Sequence, residues 1–411
     1  MNVRDERFPL FDSLRAIAAL SIFVLHLPWF AELAGGNPLR PYLQQLNVGV
    51  TVFFLISGFL LYRPFAKARY ERRGRPATVP YAQRRLLRIV PAYWVALLLT
   101  VLVLGKSDQI GTAPVMSGDA FLYFGFLQVY DSDTLFGGIS AAWSLCVEIT
   151  FYAMLPLWAL LMSRIQVRSP SHFLRTEMLG LLGMFAVGVL WIAITAPREN
   201  AGVAALGDVT LLEPWLWVLP AYLDHFALGM GLAVLSIWLQ GRSGEPRAVR
   251  VVDRAPWLPW LLAAFAFFLL ARVPDWFPDD AAARFLVTHQ LQGLFAFALL
   301  LPAIFGDPDR GLVRRFLANR ALLWVGIVSY SLYLWHAALL NSLVDAGVLD
   351  LGLIPFGIIG LIVTLAVAAA SFYAVERPAL RLGRRLSHRR RSQDADMRLQ
   401  DLGSHERSET A

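Results

Sequence analysis

The sequence has 411 residues, of which 57% are hydrophobic and 16% charged, and it carries a formal net charge of +7. Soluble domains are about 45–50% apolar and about 25% charged, so this composition excludes an ordinary soluble protein and is typical of a polytopic membrane protein. The single cysteine excludes a disulfide framework and a cysteine metal site. The basic residues lie between apolar segments and in the tail, which favours membrane orientation over nucleic-acid binding, so we expect no nucleic-acid partner.

Ten apolar runs are long enough to cross a bilayer core of roughly 30 Å, which takes about 20 helical residues. Their limits are 11–31, 46–64, 86–104, 143–163, 178–196, 215–238, 256–272, 285–305, 321–342 and 352–375. The sequence therefore predicts an all-α membrane protein with about ten transmembrane helices. An eleventh apolar patch at 120–130 is short and flanked by aspartates, so we expect it to re-enter the membrane or lie at its surface.

The connections between these runs differ in their content of Lys and Arg. The second, fourth, sixth and eighth connections each hold three or more, whereas the first, third, fifth, seventh and ninth hold two or fewer. Because cytoplasmic loops are enriched in basic residues, this alternation predicts that both termini are cytoplasmic and that the protein lies in the cytoplasmic membrane. We expect residues 1–378 to form one membrane domain and residues 379–411 a basic, polar tail without fixed structure.

The first predicted helix carries Arg15 and His26, two residues that are costly in lipid. Their spacing places both side chains on one face of a helix, roughly 16 Å apart along its axis. An ionisable residue inside a span usually faces the bundle interior or a polar cavity, so both are candidate site residues. The alternatives are that Arg15 snorkels to the headgroups and that His26 only bonds a backbone carbonyl.

The third predicted helix begins with the basic run "YAQRRLLRIVPAYW". Arg85 and Arg88, at i and i+3, project from the same side at the cytoplasmic mouth of this helix. Paired guanidinium groups suit a phosphate, which they grip bidentately, so we expect these two residues to bind a phosphate-rich ligand. The alternative is that they only set the orientation of the chain in the membrane.

Glu148 and His336 are candidates in the outer half of the membrane. Glu148 enters the membrane about one and a half turns inside the fourth predicted helix, and His336 lies at a comparable depth in the ninth. The topology therefore places His26, Glu148 and His336 in one layer. For His336 the alternative is an interfacial ring beside Trp335 in an aromatic belt.

Three further residues are weaker candidates. Asp224 and His225 lie in the middle of the sixth predicted helix, where they would belong to a polar cavity or pair with arginines across the bundle. Ser57 lies beside Gly58 in the second predicted helix, where small residues more often permit close helix packing than chemistry. The seven histidines are dispersed and form no His-x-x-x-His pair, so we expect no metal site.

Taken together, five strings resemble the bacterial acyltransferase-3 family of integral membrane O-acyltransferases. They are Arg15-x10-His26, "FFLISGFLL", "RRLLRIVPAYW", "WSLCVEITFY" and "YSLYLWH", and they occur in the family's order. The resemblance implies a ten-helix domain that moves an acyl group, often acetyl, from acyl-CoA to a hydroxyl. It also implies acyl-CoA as a cosubstrate, without a permanently bound cofactor, and a glycan, lipid-linked sugar or macrolide as acceptor.

The same resemblance carries roles onto particular positions. The family's essential Arg and His fall on Arg15 and His26, its RxxR pair falls on Arg85 and Arg88, and its acidic position falls on Glu148. Our mechanistic hypothesis is that neutral His26 is the general base that removes the acceptor proton. Glu148 would then orient or stabilise the imidazole. In another class of function, ten helices with intramembrane charge would also fit a transporter or flippase, although no paired broken helices are evident.

Overall fold

The computed structural model describes residues 8–27, 38–105, 118–203, 214–242, 246–307 and 310–386, with the backbone alone for 198–203. These residues form helices, turns and loops, with no strand among them. We label the ten principal helices of the described part α1 to α10. They are α1 (Leu10–Leu25), α2 (Val48–Tyr70), α3 (Thr78–Leu102), α4 (Trp143–Ser163), α5 (Pro170–Val203), α6 (Leu223–Gln240), α7 (Trp257–Leu270), α8 (Ala281–Ile304), α9 (Arg320–Asp345) and α10 (Leu353–Ser371).

Helix length and hydropathy confirm the prediction of an all-α polytopic membrane protein. Within the described residues, eight helical segments are long and apolar enough to cross a membrane on their own. A ninth candidate joins the amphipathic helix Arg247–Arg254 to α7 through a bend of 86°. Helix α1 has 16 residues, about 24 Å of helix, and the end of the predicted span 11–31 lies outside the described residues after Leu27. The cytoplasmic position of both termini stays a prediction.

Helix α2 is largely buried, and it packs closely on α6. A Cβ atom at Gly58 would lie 2.5 Å from the backbone oxygen of Phe226, and one at Gly229 would overlap the backbone of Leu55. Only a missing side chain permits so close an approach of two helices. Gly58 therefore has the packing role expected for small residues in this helix.

The short apolar patch at 120–130 does not form a span. It folds into the five-residue helix Ala120–Phe124 and the 3₁₀ turn Gln128–Tyr130. Tyr93 Oη donates to the backbone oxygen of Tyr123 at 2.9 Å, and Trp94 Nε1 donates to that of Phe124 at 3.0 Å. These bonds hold the patch against α3, as the expected re-entrant or surface segment.

The last helix runs further than the predicted domain boundary at residue 378. After α10 the chain makes a π-helical turn over Phe372–Glu376, and the helical segment continues to Leu386. A proline lacks the N–H that an α-helix needs, and the wider turn just before Pro378 accommodates that loss without ending the helix. The first residues assigned to the tail are therefore helical, and residues 387–411 lie outside the described part.

Candidate active site

Five of the predicted site residues line one cavity between α1, α2, α3, α4 and α9. These residues are Arg15, Ser57, Arg85, Arg88 and Glu148. We call this space the arginine cavity, because three guanidinium groups face one carboxylate across it. It encloses about 70 Å³, room for a few water molecules, so a longer ligand enters only if the lining side chains move apart.

The arginine cavity is elongated along the bundle. Arg15 lies in the second turn of α1 and Arg85 in the third turn of α3, which the charge pattern assigns to the cytoplasmic side. Ser144, at the other end of the lining, is the second residue of α4, which that pattern assigns to the outer side. The cavity therefore connects a cationic inner end with an uncharged outer end.

The arginines of this cavity have few anionic partners of their own. Arg15 Nη1 donates to Asp12 Oδ1 at 2.9 Å, one turn earlier on α1. Arg85 and Arg88 form no ion pair among the residues that the structure describes, and the buried Nε of Arg85 has no hydrogen-bond partner. Because a buried cation without an acceptor is costly, the arrangement suits an anionic ligand at this end.

Glu148 is held by two hydroxyl donors. Ser57 Oγ and Tyr152 Oη each donate to Glu148 Oε1 at 2.5 Å. Ser57 therefore contacts the predicted acid directly, although the sequence favoured helix packing for it. These bonds fix the carboxylate on the wall of the arginine cavity.

His26 and His336 lie together at the end of α1. His26 Nδ1 is 3.3 Å from His336 Nε2, and the ring centroids are 4.7 Å apart. His26 is the residue that caps α1 and is exposed, whereas His336 is fully buried in α9. The two histidines that the topology placed at one depth are thus neighbours.

Two backbone carbonyls determine which nitrogen of each ring carries a proton. His26 Nδ1 lies 2.8 Å from the oxygen of Ile22, and His336 Nδ1 lies 2.7 Å from that of Tyr333. Since a carbonyl only accepts, both Nδ1 atoms are donors. The single Nδ1 proton of His26 points mainly to Ile22, and the neutral His336 Nε2, at 3.3 Å, shares it as a second acceptor. This assignment leaves His26 Nε2 with a free lone pair, and it has no hydrogen-bond partner within the described residues.

Glu148 does not contact His26. The hydrogen bonds of Glu148 go to Ser57 and Tyr152, whereas those of His26 in the described part of the chain go to Ile22 and His336. The expected contact of Glu148 with the imidazole is therefore absent among these bonds, and the side chain that contacts the ring is His336. Depth along the membrane follows from sequence, but the direction in which each side chain points around its helix does not.

Three tyrosines that sequence reasoning missed form much of the cavity wall. They are Tyr152, Tyr330 and Tyr333. Tyr333 Oη donates to the oxygen of Ala141 at 2.9 Å and lies 2.8 Å from Ser144 Oγ, while its ring is 5.7 Å from that of His336. Tyr333 thus separates the histidine pair from the arginine cavity. The i, i+3 spacing of Tyr330, Tyr333 and His336 on α9 was the available signal.

Asp224 and His225 belong to a different polar cluster. They lie in the first turn of α6, inside the membrane-length segment Pro214–Gln240. The side-chain partners of Asp224 are His289 Nε2 at 3.0 Å and Gln290 Nε2 at 2.8 Å, not an arginine. The His225 and His289 rings stack with centroids 3.9 Å apart. Sequence reasoning missed His289, which is 65 residues from Asp224, although a His and two Gln in one predicted span were a signal.

The three ionisable side chains of this cluster bring ligand atoms within 4.8 Å of one another, close enough for a metal ion. Asp224 Oδ1 and His289 Nε2 already bond each other, and His225 Nε2 bonds the backbone oxygen of His289. These atoms are therefore used in holding α6 to α8. The expectation that the protein has no metal site stays a prediction.

The chain is similar to known acyltransferases over nearly its whole length. The family model described as "Acyltransferase domain" matches residues 9–373. The chain is 26% identical to "Acyltransferase MdmB" of Streptomyces mycarofaciens over 94% of its own length and 95% of that protein. It is 27% identical to "Putative O-acetyltransferase SACOL0978" and 24% identical to "O-acetyltransferase OatA", both of Staphylococcus aureus, over 90% and 91% of its length.

The chain spans 57% of the length of each of these two staphylococcal relatives. No solved structure matches this chain. The family match covers nearly the whole membrane domain, including every residue of the arginine cavity and both histidines of the pair. The chain therefore belongs to the acyltransferase-3 family and is a multi-pass membrane acyltransferase.

Proposed function

We propose that this acyltransferase moves an acyl group from acyl-CoA to a hydroxyl of a cell-envelope carbohydrate, with acetyl as the first acyl group to test. The observation that supports acyl-CoA as the donor is the arginine cavity, in which Arg85 and Arg88 have no ion pair among the described residues. Relatives named as O-acetyltransferases support transfer to oxygen. The bilayer is the environment in which donor and acceptor meet.

Coenzyme A suits the charge of the arginine cavity, which has to widen to admit it. Its phosphate-rich head would bind the guanidinium forks of Arg85 and Arg88, which grip phosphates bidentately. Arg15, paired with Asp12, would add a third positive charge at that end. The pantetheine arm would then point along the cavity toward Ser144 and Tyr333.

The transfer step uses the free lone pair of His26 Nε2. As the acceptor oxygen attacks the thioester carbon, His26 removes the hydroxyl proton. The C–S bond breaks, an O-acyl ester forms, and the thiolate of CoA takes the proton from His26. The distance along α9 from Tyr330 to His336 is about 9 Å. The thioester would cover this distance and reach His26 when the Tyr333 side chain, which lies between them, rotates away.

The histidine assignment is tested with the purified full-length protein in nanodiscs. We expect His26→Ala to lower kcat for acyl transfer by about 10²- to 10⁴-fold, because a general base contributes that much. The assay follows release of the CoA thiol and the acylated acceptor together. His172→Ala is the matched control, since His172 lies at the start of α5 outside the arginine cavity and the histidine pair. Full transfer by a folded His26→Ala variant would contradict the assignment.

A small-molecule acceptor such as a macrolide is the second candidate. The resemblance implies this class as well. Two assays with the same acyl donor distinguish these classes, one with a soluble oligosaccharide and one with a macrolide. The compound that becomes acylated identifies the acceptor class.

A further inference from the structure

A second cavity lies beside the outer end of the arginine cavity. It encloses about 240 Å³, room for far more than a single water molecule. Its walls come from the beginnings of α2, α4 and α8 and from the turn before α6, all of which the charge pattern assigns to the outer side. We call it the aromatic cavity.

The aromatic side chains of this cavity form a continuous surface. The rings of Trp143 and Trp217 meet edge to face with centroids 4.8 Å apart, and those of Trp143 and Tyr222 are 5.6 Å apart. The Tyr222 ring is in turn 5.5 Å from that of His289. Broad aromatic faces in a concave site suit a flat, partly apolar ring.

Two donor side chains that line this cavity lack a partner of their own in the described part of the chain. Trp217 Nε1 is buried and has no hydrogen-bond partner, and Arg284 forms no ion pair in the described part of the chain. Gln292 is held in place because its Nε2 donates to Asn47 Oδ1 at 3.0 Å. An unsatisfied buried N–H is costly, so a ligand oxygen at Trp217 would be stabilising.

His289 presents one edge of its ring to the aromatic cavity in a fixed orientation. Its Nε2 bonds Asp224 Oδ1 at 3.0 Å, and its ring stacks on that of His225. Asp224 is in turn bonded by Gln290. The buried cluster on α6 and α8 thus positions a polar group on the cavity wall.

The two cavities share a thin partition. Val50 lines both of them, and Trp143 of the aromatic cavity directly precedes Ser144 of the arginine cavity. Ser144 Oγ lies 2.8 Å from Tyr333 Oη, beside the histidine pair. A group held in the aromatic cavity is therefore one residue away from the space proposed for the donor.

We propose that the aromatic cavity binds the acceptor as a sugar ring entering from the outer side. The ring would stack on Trp143 and Trp217, and its hydroxyls would accept from Trp217 Nε1 and the Arg284 guanidinium. This inference rests on the proposed function and adds the acceptor site to it. Many hydroxyls on a compact ring match a wall that combines aromatic faces with two donor groups.

Binding of sugar without any acyl donor tests the acceptor site separately from the reaction. The probes are chitotetraose and isomaltotetraose, titrated calorimetrically into the full-length protein in nanodiscs, with erythromycin as a third probe. We expect at least one sugar to bind, and we expect Trp217→Phe and Arg284→Ala each to raise its Kd at least tenfold. Arg272→Ala, on the same predicted outer side but away from the cavity, should leave Kd unchanged.

Failure of this inference is distinct from failure of the proposed function. Absence of sugar binding to the unaltered protein, binding of erythromycin alone, or an equal Kd after both substitutions would overturn the acceptor site. Sugar binding that depends on Trp217 and Arg284, without acyl transfer from acetyl-CoA, would instead leave the site intact and contradict the proposed reaction. In the active protein, the variants should raise KM for the sugar and leave KM for acetyl-CoA unchanged.

Discussion

His336 is the residue that fixes the proposed base. Its Nδ1 donates to the oxygen of Tyr333 at 2.7 Å, which leaves Nε2 to accept from His26 Nδ1. The same Nδ1 proton of His26 is shared with the oxygen of Ile22, which is nearer at 2.8 Å and fixes the same tautomer. The orientation of His26 therefore depends on neutral partners and not on a carboxylate.

Replacement of His336 tests this positioning role. We expect His336→Phe to lower kcat by about 10²-fold, because a misplaced base loses its approach geometry, with little change in KM for acetyl-CoA. His336→Gln keeps an oxygen acceptor for His26 Nδ1 and should recover a large part of the lost rate. Equal losses in both variants, or a loss confined to KM, would contradict the positioning role.

At the scale of elements, the crossing of α2 and α6 sets the position of Ser57. Gly58 and Gly229 let the two backbones approach, and Ser57, next to Gly58, donates to Glu148 on α4. A displacement at this crossing would therefore reach the wall of the arginine cavity. The packing of α2 on α6 and the position of Glu148 are therefore coupled through the turn of α2 that contains Ser57 and Gly58.

Gly229→Ala tests that coupling. Its new Cβ would overlap the backbone of Leu55, which cannot rotate away as a side chain would, so we expect a loss of about 1–3 kcal/mol in stability and a lower transfer rate. Thermal unfolding in detergent and the transfer assay measure the two effects. Gly231→Ala is the matched control on the same helix, since a Cβ there meets no atom within 4 Å. Equal melting temperatures for the two variants would contradict the close crossing.

At the scale of the whole molecule, hydropathy predicted the helical architecture well, and the orientation predicted from charge stays a prediction. All ten apolar runs contain a helix, and the short patch at 120–130 forms no span. These features depend on local composition and on the cost of leaving backbone groups unpaired in lipid. The helix continues past the predicted boundary at residue 378, because a π turn lets it pass Pro378 and sequence alone does not reveal such a turn.

The contacts between helices were predicted less well. The sequence identified Arg15, Arg85 and Arg88 as candidate site residues. It did not predict that Glu148 lies in the same cavity or that His26 contacts His336. It also missed the contact from Asp224 to His289. Which faces of distant helices meet depends on packing of the whole bundle, and periodicity within one helix carries no information about it.

Donor binding is the central claim for the whole molecule, and equilibrium titration measures it most directly. A thioether analogue of acetyl-CoA, which cannot transfer its acyl group, is titrated into the purified protein at fixed ionic strength. We expect Arg85→Ala and Arg88→Ala each to raise Kd by roughly 10- to 150-fold, the loss of about 1.5–3 kcal/mol from a charge-assisted contact. Arg84→Ala, on the same helix but outside the cavity lining, should bind as the unaltered protein does. Equal affinity in all three variants would contradict the assignment of the arginine cavity to the acyl donor.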